Sequence, residues 1–455
     1  RAERAHAFPL FQCGARVIMA RQNFGGGGIV EWCHQSVLIK GGFDRFVEKV
    51  CEPYYASGPG RKSIPPGRYF RMHLVGYFEG IESERGLEWR CSDSLSLRKF
   101  LRLSLTQRVP DHSSLSRIRQ RLPLEVHQEV FGWVLQALTK SGLVVGERLG
   151  IDASTMEANA AMRSIVRRDT GETYQQMLER IAKDSGIKTP TREELARMDR
   201  KRKGKKLSNK DWKSEIDEDA RITKMKDSRT HLAYKPEHAV DLDTGAIVSA
   251  DIHKADQGDT TTIGKTLESA RKNLSDIGCT PITTAPTEVI ADKGYHSREV
   301  VKELDGGVWR TRIAEPKANG LLNWKGDHEA RRAVYNNRAR LKSAKGRELA
   351  KRRTELVERS FQHVLDRGGM RRTHLRGQEN VHKRYLLCVA GFNLGLLMRQ
   401  LIGYGTTKGY FYLNSAQIFI IARGRMVVSI ILVEMKSETG QEFVGTQIAV
   451  ERCWS

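Results

Sequence analysis

A mixed α/β sheet flanked by helices, preceded by a mostly helical domain and interrupted by a basic insertion, is the fold class this sequence predicts. Three observations carry it. From Leu143 onward, short β-rich runs alternate with stretches of helical periodicity, the pattern of strands covered by helices. From Tyr69 to about Leu138, apolar residues recur at helical spacing. Residues 160–230, which include VRRDTGETY and DRKRKGKKLSNKDW, are polar and basic and read as a surface insertion, partly helical at YQQMLERIAK.

The elements follow in order. Residues 1–64 show little periodicity and hold GGGG and SGPGRKSIPPG, so they form a poorly defined segment. Residues 65–140 are the helical domain. Leu95, Leu97, Phe100, Leu101, Leu103 and Leu105 mark one helix, capped by Asp93 or Ser94. A second helix starts at a Ser113 cap and closes at Pro123, with Leu115, Ile118 and Leu122 on its inner face. Arg117, Arg119 and Arg121 then point mostly outward. Two helices joined by a tight turn, the second rich in arginine, fit either a helix-turn-helix DNA reader or an ordinary helical hairpin.

Residues 141–404 form the α/β domain. HLAYKPEHAVDLDTGAIVSADIHKAD reads as a β-hairpin turning at Asp243-Thr244-Gly245, which accounts for Asp241 and Asp243. Asp251, Asp256 and Asp259 follow the second hairpin strand and serve caps or loops. TTIGKTLESARKNL is a helix, PTEVIADKG a strand, SREVVKEL a helix and VWRTRIAEP a strand. GRELAKRRTELVERSFQHVLD is an amphipathic helix buried along Ala350, Val357, Phe361 and Val364. LLCVAGFNLGLLMR is a core helix. In the unassigned tail, 405–455, FYLNSAQIFIIARGRMVVSIILVE reads as two strands turning at Arg423-Gly424-Arg425, because those arginines break any membrane span.

Composition narrows the function. Among 455 residues, 77 Lys and Arg face 54 Asp and Glu, and the net charge of +23 lies in clusters. A polyanionic partner follows, and nucleic acid is the commonest. Seven scattered cysteines without a C-x-x-C pair argue against a disulfide framework or a zinc ribbon and suit a reducing cytosol. No secretory signal pattern is present, so a soluble cytoplasmic protein is expected. Neither a G-x-x-x-x-G-K-[ST] loop nor H-E-x-x-H occurs, which removes support for ATP-driven motors and zinc peptidases. The first residue is Arg1, not Met, and one reading is a fragment or a decayed copy.

Three carboxylates stand out by context. Val289-Ile290-Ala291 stops on Asp292, with Lys293-Gly294-Tyr295 behind it. Either Asp292 caps the following turn, or the strand holds that carboxylate still. Leu149-Gly150-Ile151 likewise runs into Asp152. Glu358, one residue past Val357, borders the buried face of its helix; the alternative is a surface glutamate paired with Arg353, Arg359 or Gln362. Acids brought together repel unless neutralised, and oxygen-only ligands favour Mg²⁺, with Mn²⁺ as the substitute. Two such ions about 3.5–4 Å apart activate a water or 3′-hydroxyl and stabilise the leaving oxygen of a phosphodiester.

GIDASTMEANAAMRSIVRRDTGETY, HLAYKPEHAVDLDTGAIV, VIADKGYHS and ELVERSFQHVLDRGGMRRTHLRGQENVHKRYLLCVAGFNLGLLMR together resemble the DDE transposases of bacterial insertion sequences. The resemblance spans roughly residues 69–404. It implies a ribonuclease-H-like catalytic core whose first-strand acid is Asp152, fourth-strand acid Asp292 and helix glutamate Glu358. These three would hold Mg²⁺ for DNA strand cleavage and strand transfer. Thr354 and Leu365 stand where some relatives carry an arginine and a lysine near the glutamate, and Arg353 and Arg359 are the nearby substitutes. The expected partner is double-stranded DNA, at the element's terminal inverted repeats and at the target, bound by a homodimer. Candidate contacts are Arg117, Arg119 and Arg121 on the second helix, and Arg167 and Arg168 in the insertion. Lys293 and Tyr295 beside the acids belong to the same set, although Tyr295 fits a core role equally well. Arg371, Arg372, Arg376, Lys383 and Arg384 form a phosphate-binding stripe. His363 reads as structural. The rival readings are a stand-alone nuclease with the same core and a catalytically inactive, domesticated DNA-binding derivative.

Overall fold

Helices come first. The computed structural model describes residues 37–56, 63–187, 189–202, 207–225, 228–317, 324 and 326–402. Most of the 1–64 segment and the expected hairpin around Arg423-Gly424-Arg425 lie outside the described residues. Helices α1 (Phe43–Cys51), α2 (Pro66–Glu79), α3 (Glu84–Ser92), α4 (Leu95–Phe100), α5 (His112–Arg121) and α6 (Leu124–Lys140) bury Phe43, Tyr69, Phe70, Met72, Leu87 and Phe131 among themselves. Ser94 caps α4, accepting from Leu97 N. Leu97, Phe100, Leu101 and Leu103 are buried, whereas Leu95 and Leu105 are exposed, because the helix stops at Phe100 and the chain leaves helical phase.

Two expectations about α5 are corrected. Its cap is Asp111, not Ser113: the Asp111 carboxylate accepts from Ser114 N at 2.7 Å, and the Ser113 hydroxyl donates back to it. The link from α4 is not a tight turn but residues 101–111. Leu115, Ile118 and Leu122 are buried as expected.

The sheet is built around β1 (Arg148–Ala153). On one side β1 pairs antiparallel with β6 (Thr230–Asp241), and on the other it runs parallel to β8 (Thr287–Ala291), which is parallel to β9 (Trp309–Ile313). β7 (Ile247–Lys254) forms the hairpin with β6 through Asp243-Thr244-Gly245. Gly245, at φ 79°, supplies the left-handed turn residue. The Asp241 carboxylate accepts from Val145 N, Gly146 N and Asp243 N, so its role is structural. β2 (Met156–Glu157) and β5 (Arg221–Lys224) extend the two edges of β6: Ala233 pairs with Glu157 on one side and with Arg221 on the other. The result is the mixed sheet the sequence predicts. Between β2 and β5 the chain makes a separate ribbon of β3 (Ile165–Arg167) and β4 (Trp212–Ser214), with helices α7 (Tyr174–Asp184) and α8 (Arg192–Lys201). Thr173 with Gln176 and Thr191 with Glu194 close capping boxes at both helix starts.

Helices cover the sheet. α9 (Asp259–Asp276) lies along β6 and β7, and α10 (Arg298–Leu304) precedes β9. α11 (His328–Lys342) and α12 (Ala344–Phe361) follow, and α12 crosses β8, β1 and β6. A π turn over Gln362–Arg367 ends it, and there His363 packs on Phe392. α13 (Gln378–Ile402) carries the apolar block. Among the described residues, no helix is long and apolar enough to cross a membrane.

Close approach of α12 to β1 requires Gly150. A Cβ there would lie 2.7 Å from Leu242 Cδ2, 2.9 Å from Val357 Cγ2 and 3.1 Å from Arg353 Cγ. Gly150→Ala is therefore expected to destabilise the protein by about 1–3 kcal/mol through overpacking, read as a lower urea midpoint.

Buried histidines tie these layers together and make stability depend on pH. His238 stacks on Phe361 at 4.1 Å, with its ring nitrogens bonded to Ser360 Oγ (2.8 Å) and Tyr385 OH (2.7 Å). Burial pushes His238 down to about 3 and, against a smaller opposing hydrogen bond that His127 donates to Pro123 O, His127 also to about 3. Burial, with Arg384 beside it, drives His73 well below 6.5. A depressed folded pKa means stability that is present above the unfolded value near 6.5 and lost as pH falls toward 3. Each such histidine contributes a slope of about 1.4 kcal/mol per pH unit inside that window. His238→Phe is expected to flatten the stability–pH curve between pH 6 and 4 by that amount in urea titrations. An unchanged slope would count against the neutral buried ring.

Candidate active site

Parallel pairing of β1 and β8 sets the site. The register Leu149↔Val289 and Gly150↔Ile290, carried two residues further, brings Asp152 level with Asp292 at adjoining strand ends. Asp152 is three-quarters buried; its carboxylate accepts from Arg353 Nη1 at 2.9 Å and from Ala153 N at 2.8 Å. Burial raises the Asp152 carboxyl above its usual range, the Arg353 charge opposes that rise, and the Asp292 charge adds to it. The two aspartates thus sit within each other's field. Asp292 itself caps the short turn Lys293–Tyr295, its Oδ1 accepting from Gly294 N at 2.9 Å, so the capping role is real.

Glu358 lies on α12, one residue past Val357, which packs against Gly150. It is exposed. The arginines that offered it a surface pairing are engaged elsewhere, Arg353 with Asp152 and Arg359 with Glu355 at 2.6 Å. Five residues separate Arg353 from Glu358, about 7.5 Å along the helix axis. Among the described residues, no three His, Cys, Asp or Glu side chains group closely enough to hold a metal ion. The structure brings the two strand acids together and leaves Glu358 outside that pair. The donor chemistry of the pair, two neighbouring carboxylates whose charges repel, still fits a hard divalent cation.

Behind the acids lies a polar layer that the sequence reading missed. Tyr295 is fully buried, and its hydroxyl donates to Glu237 Oε1 at 2.6 Å, which corrects its assignment as a DNA contact. Lys235 and Glu237 occupy alternate positions of β6 and both are buried. That was the available signal, since two charges at i and i+2 inside a β-rich run face the same side of a sheet. Asp251 and Asp259 also differ from expectation. Asp251 lies within β7, bonded to Ser249 and Ser269, and Asp259 opens α9 against Lys235 Nζ at 2.6 Å. Asp256, in the loop as expected, faces Arg221.

Two family models match the chain. One, described as "Transposase domain (DUF772)", covers residues 34–121, and the other, "Transposase DDE domain", covers 185–394. No solved structure matches. The chain belongs to the DDE transposases of insertion elements. Its core is accordingly ribonuclease-H-like, its chemistry that of a transposition nuclease, its partner DNA, and the family uses divalent metal ions. Asp292 and Glu358 fall inside the DDE match; Asp152 lies between the two matches.

The transposase divides its eleven basic candidates by burial. Arg117, Arg121, Arg168, Lys293, Arg372 and Arg376 are exposed. Arg167 and Arg371 are half-buried and paired, with Asp169 at 2.6 Å and Asp366 at 2.7 Å. Arg119, Lys383 and Arg384 are buried, which corrects their place on the surface. Arg119 pairs with Glu84 and Ser116. Lys383 Nζ donates to Arg119 O and pairs with Glu379, while Arg384 meets His73 and Ile81 O. These three join α13 to the helical domain. Helical phase explains the error: on a ten-residue helix, Arg119 follows Ile118 and faces Glu84 of α3, a neighbour that local periodicity does not reveal.

Proposed function

We propose that this transposase cuts DNA strands at the ends of its insertion element and joins the freed 3′-hydroxyl to target DNA, using Asp152, Asp292 and Glu358. The observation that carries the reading is the parallel register that sets Asp152 beside Asp292 at the strand ends. A pair of Mg²⁺ ions, or Mn²⁺ in their place, would supply Lewis-acid activation of the attacking oxygen and stabilise the leaving one. The two aspartates hold their carboxylates on fixed strand ends, and Glu358 offers a third from a helix anchored on β1 through Val357. Arg353 keeps Asp152 paired. Lys293, exposed directly after Asp292, is placed to meet the scissile phosphate. The six exposed cations contact the backbone of the terminal inverted repeats and target, with two copies of the chain on the paired ends, in the bacterial cytoplasm on the nucleoid.

The test is an assay with labelled element ends and a target plasmid in Mg²⁺. Cleavage followed by joined product is the expected result. Cleavage that never yields joined product would reduce the reading to a nuclease, and binding without either reaction would overturn it.

A further inference from the structure

Three residues past Asp292 the chain turns inward and meets a buried carboxylate. The Tyr295 hydroxyl donates to Glu237 Oε1 at 2.6 Å, and neither residue is exposed. Glu237 sits on β6 opposite Ala153, the residue after Asp152. Since β1 lies between β6 and β8, the contact spans the end of β1. The same carboxylate accepts from Thr262 Oγ1 at 3.0 Å and Thr266 Oγ1 at 2.5 Å, both on α9, and lies 3.4 Å from His253 Nε2. Burial raises such a carboxyl, yet the hydrogen bonds from His253, Thr266 and Tyr295, with the Lys235 charge, hold it below its ordinary range.

A buried, charged carboxylate is a costly way to fill a core, since apolar residues of similar volume often serve stability as well. This one gathers β6, β7, α9 and the turn behind Asp292 onto a single pair of oxygens. A second grip acts on the same turn. Lys235 Nζ donates to Thr262 Oγ1 at 2.9 Å and Gln257 O at 3.2 Å and pairs with Asp259 Oδ1 at 2.6 Å. The other Asp259 oxygen lies against Gly294, where a Cβ would run into it and would stand 3.1 Å from Asp292 Oδ1.

We propose that Glu237 is a positioning residue for Asp292: it holds the Asp292–Tyr295 turn through Tyr295, while Asp259, fixed by Lys235, holds the turn at Gly294. The inference rests on the reading of Asp292 as a metal ligand. It assigns Glu237 no contact with DNA or metal; its effect passes through the turn.

The test uses Mn²⁺ binding to the full chain on a bound DNA end, followed by loss of the free-ion electron paramagnetic resonance signal, beside the melting temperature. Tyr295→Phe removes the donor, and Gly294→Ala pushes Asp259 and Asp292 apart. Each is expected to weaken Mn²⁺ binding by about 10–100-fold, the range for partners that orient a ligand, while DNA-end binding persists. The Mg²⁺ concentration for half-maximal cleavage should rise in step. A fall in melting temperature with Mn²⁺ affinity unchanged would overturn the proposal, since that is what a purely structural contact gives. Should Tyr295→Phe fail to fold, Gly294→Ala, at an exposed position, carries the same expectation. Asp292→Asn separates the two readings. If it binds Mn²⁺ like the parent, the ligand assignment has failed; if it loses Mn²⁺ while the two turn variants do not, only the positioning role has failed.

Discussion

Asp292→Asn is expected to cut strand cleavage at element ends by more than about 100-fold, while DNA-end binding stays within about two-fold. The size follows from position. Partners that only orient a metal ligand typically cost about 10–100-fold when removed, so a direct ligand should exceed that range. The variant is clean because asparagine keeps an oxygen of the same reach, and the Gly294 N–H at 2.9 Å retains its acceptor. The fold therefore has no reason to change, and what disappears is one negative charge beside Asp152. Glu358→Gln tests the third acid with less ambiguity still, because Glu358 is exposed and its neutralisation leaves no buried group unpaired. Loss of cleavage there with normal melting would draw Glu358 into the site. Gel-resolved cleavage of an end-labelled fragment measures both variants. Asp152→Asn is the weaker probe, since it also strips Arg353 of its carboxylate at 2.9 Å. Cleavage at the parental rate in both Asp292→Asn and Glu358→Gln would remove the metal-site assignment.

How far the sequence reaches is visible in which residues it places well. Asp152 and Asp292 were legible because each ends a short apolar run, and a parallel pair of strands carries that local signal into space. The hairpin at Asp243-Thr244-Gly245 was legible because its turn chemistry is local. Arg119 was not, since its burial depends on Glu84, 35 positions away on another helix. Lys383 and Arg384 fail for the same reason, as their partners Arg119, His73 and Ile81 lie in the helical domain. The burial of Glu237 was hidden because a charged residue inside a strand reads as an outward face until α9 is known to cover it. Periodicity tells which side of an element is apolar; it does not tell which polar group on that side has found a partner. The one distant pairing that local reasoning came near was Arg353, noticed as a basic neighbour of Glu358 and found instead on Asp152.

Burial turns the basic candidates into a second large effect, on salt dependence. Removing one phosphate-binding cation should reduce the slope of log affinity against log salt by about 0.9. Replacing the exposed Arg117, Arg121, Arg168, Lys293, Arg372 and Arg376 together by Gln is expected to lower that slope by about 5. Between about 50 and 200 mM salt the parent should lose on the order of 10³-fold in affinity, as about 6–10 phosphate contacts do, and the six-site variant far less. Single variants such as Arg372→Gln should each take about one unit, without favouring one DNA sequence over another. The buried set behaves oppositely. Arg384→Met leaves His73 and Ile81 O without their donor, and Arg119→Met leaves Glu84 facing a partly buried site unpaired. These variants should unfold at lower temperature yet keep the parental slope at temperatures where they remain folded. Fluorescence anisotropy on a terminal-repeat duplex between about 50 and 200 mM salt separates the two classes. A reduced slope in Arg384→Met, measured below its melting temperature, would place that guanidinium on DNA and contradict its burial between α13 and the helical domain.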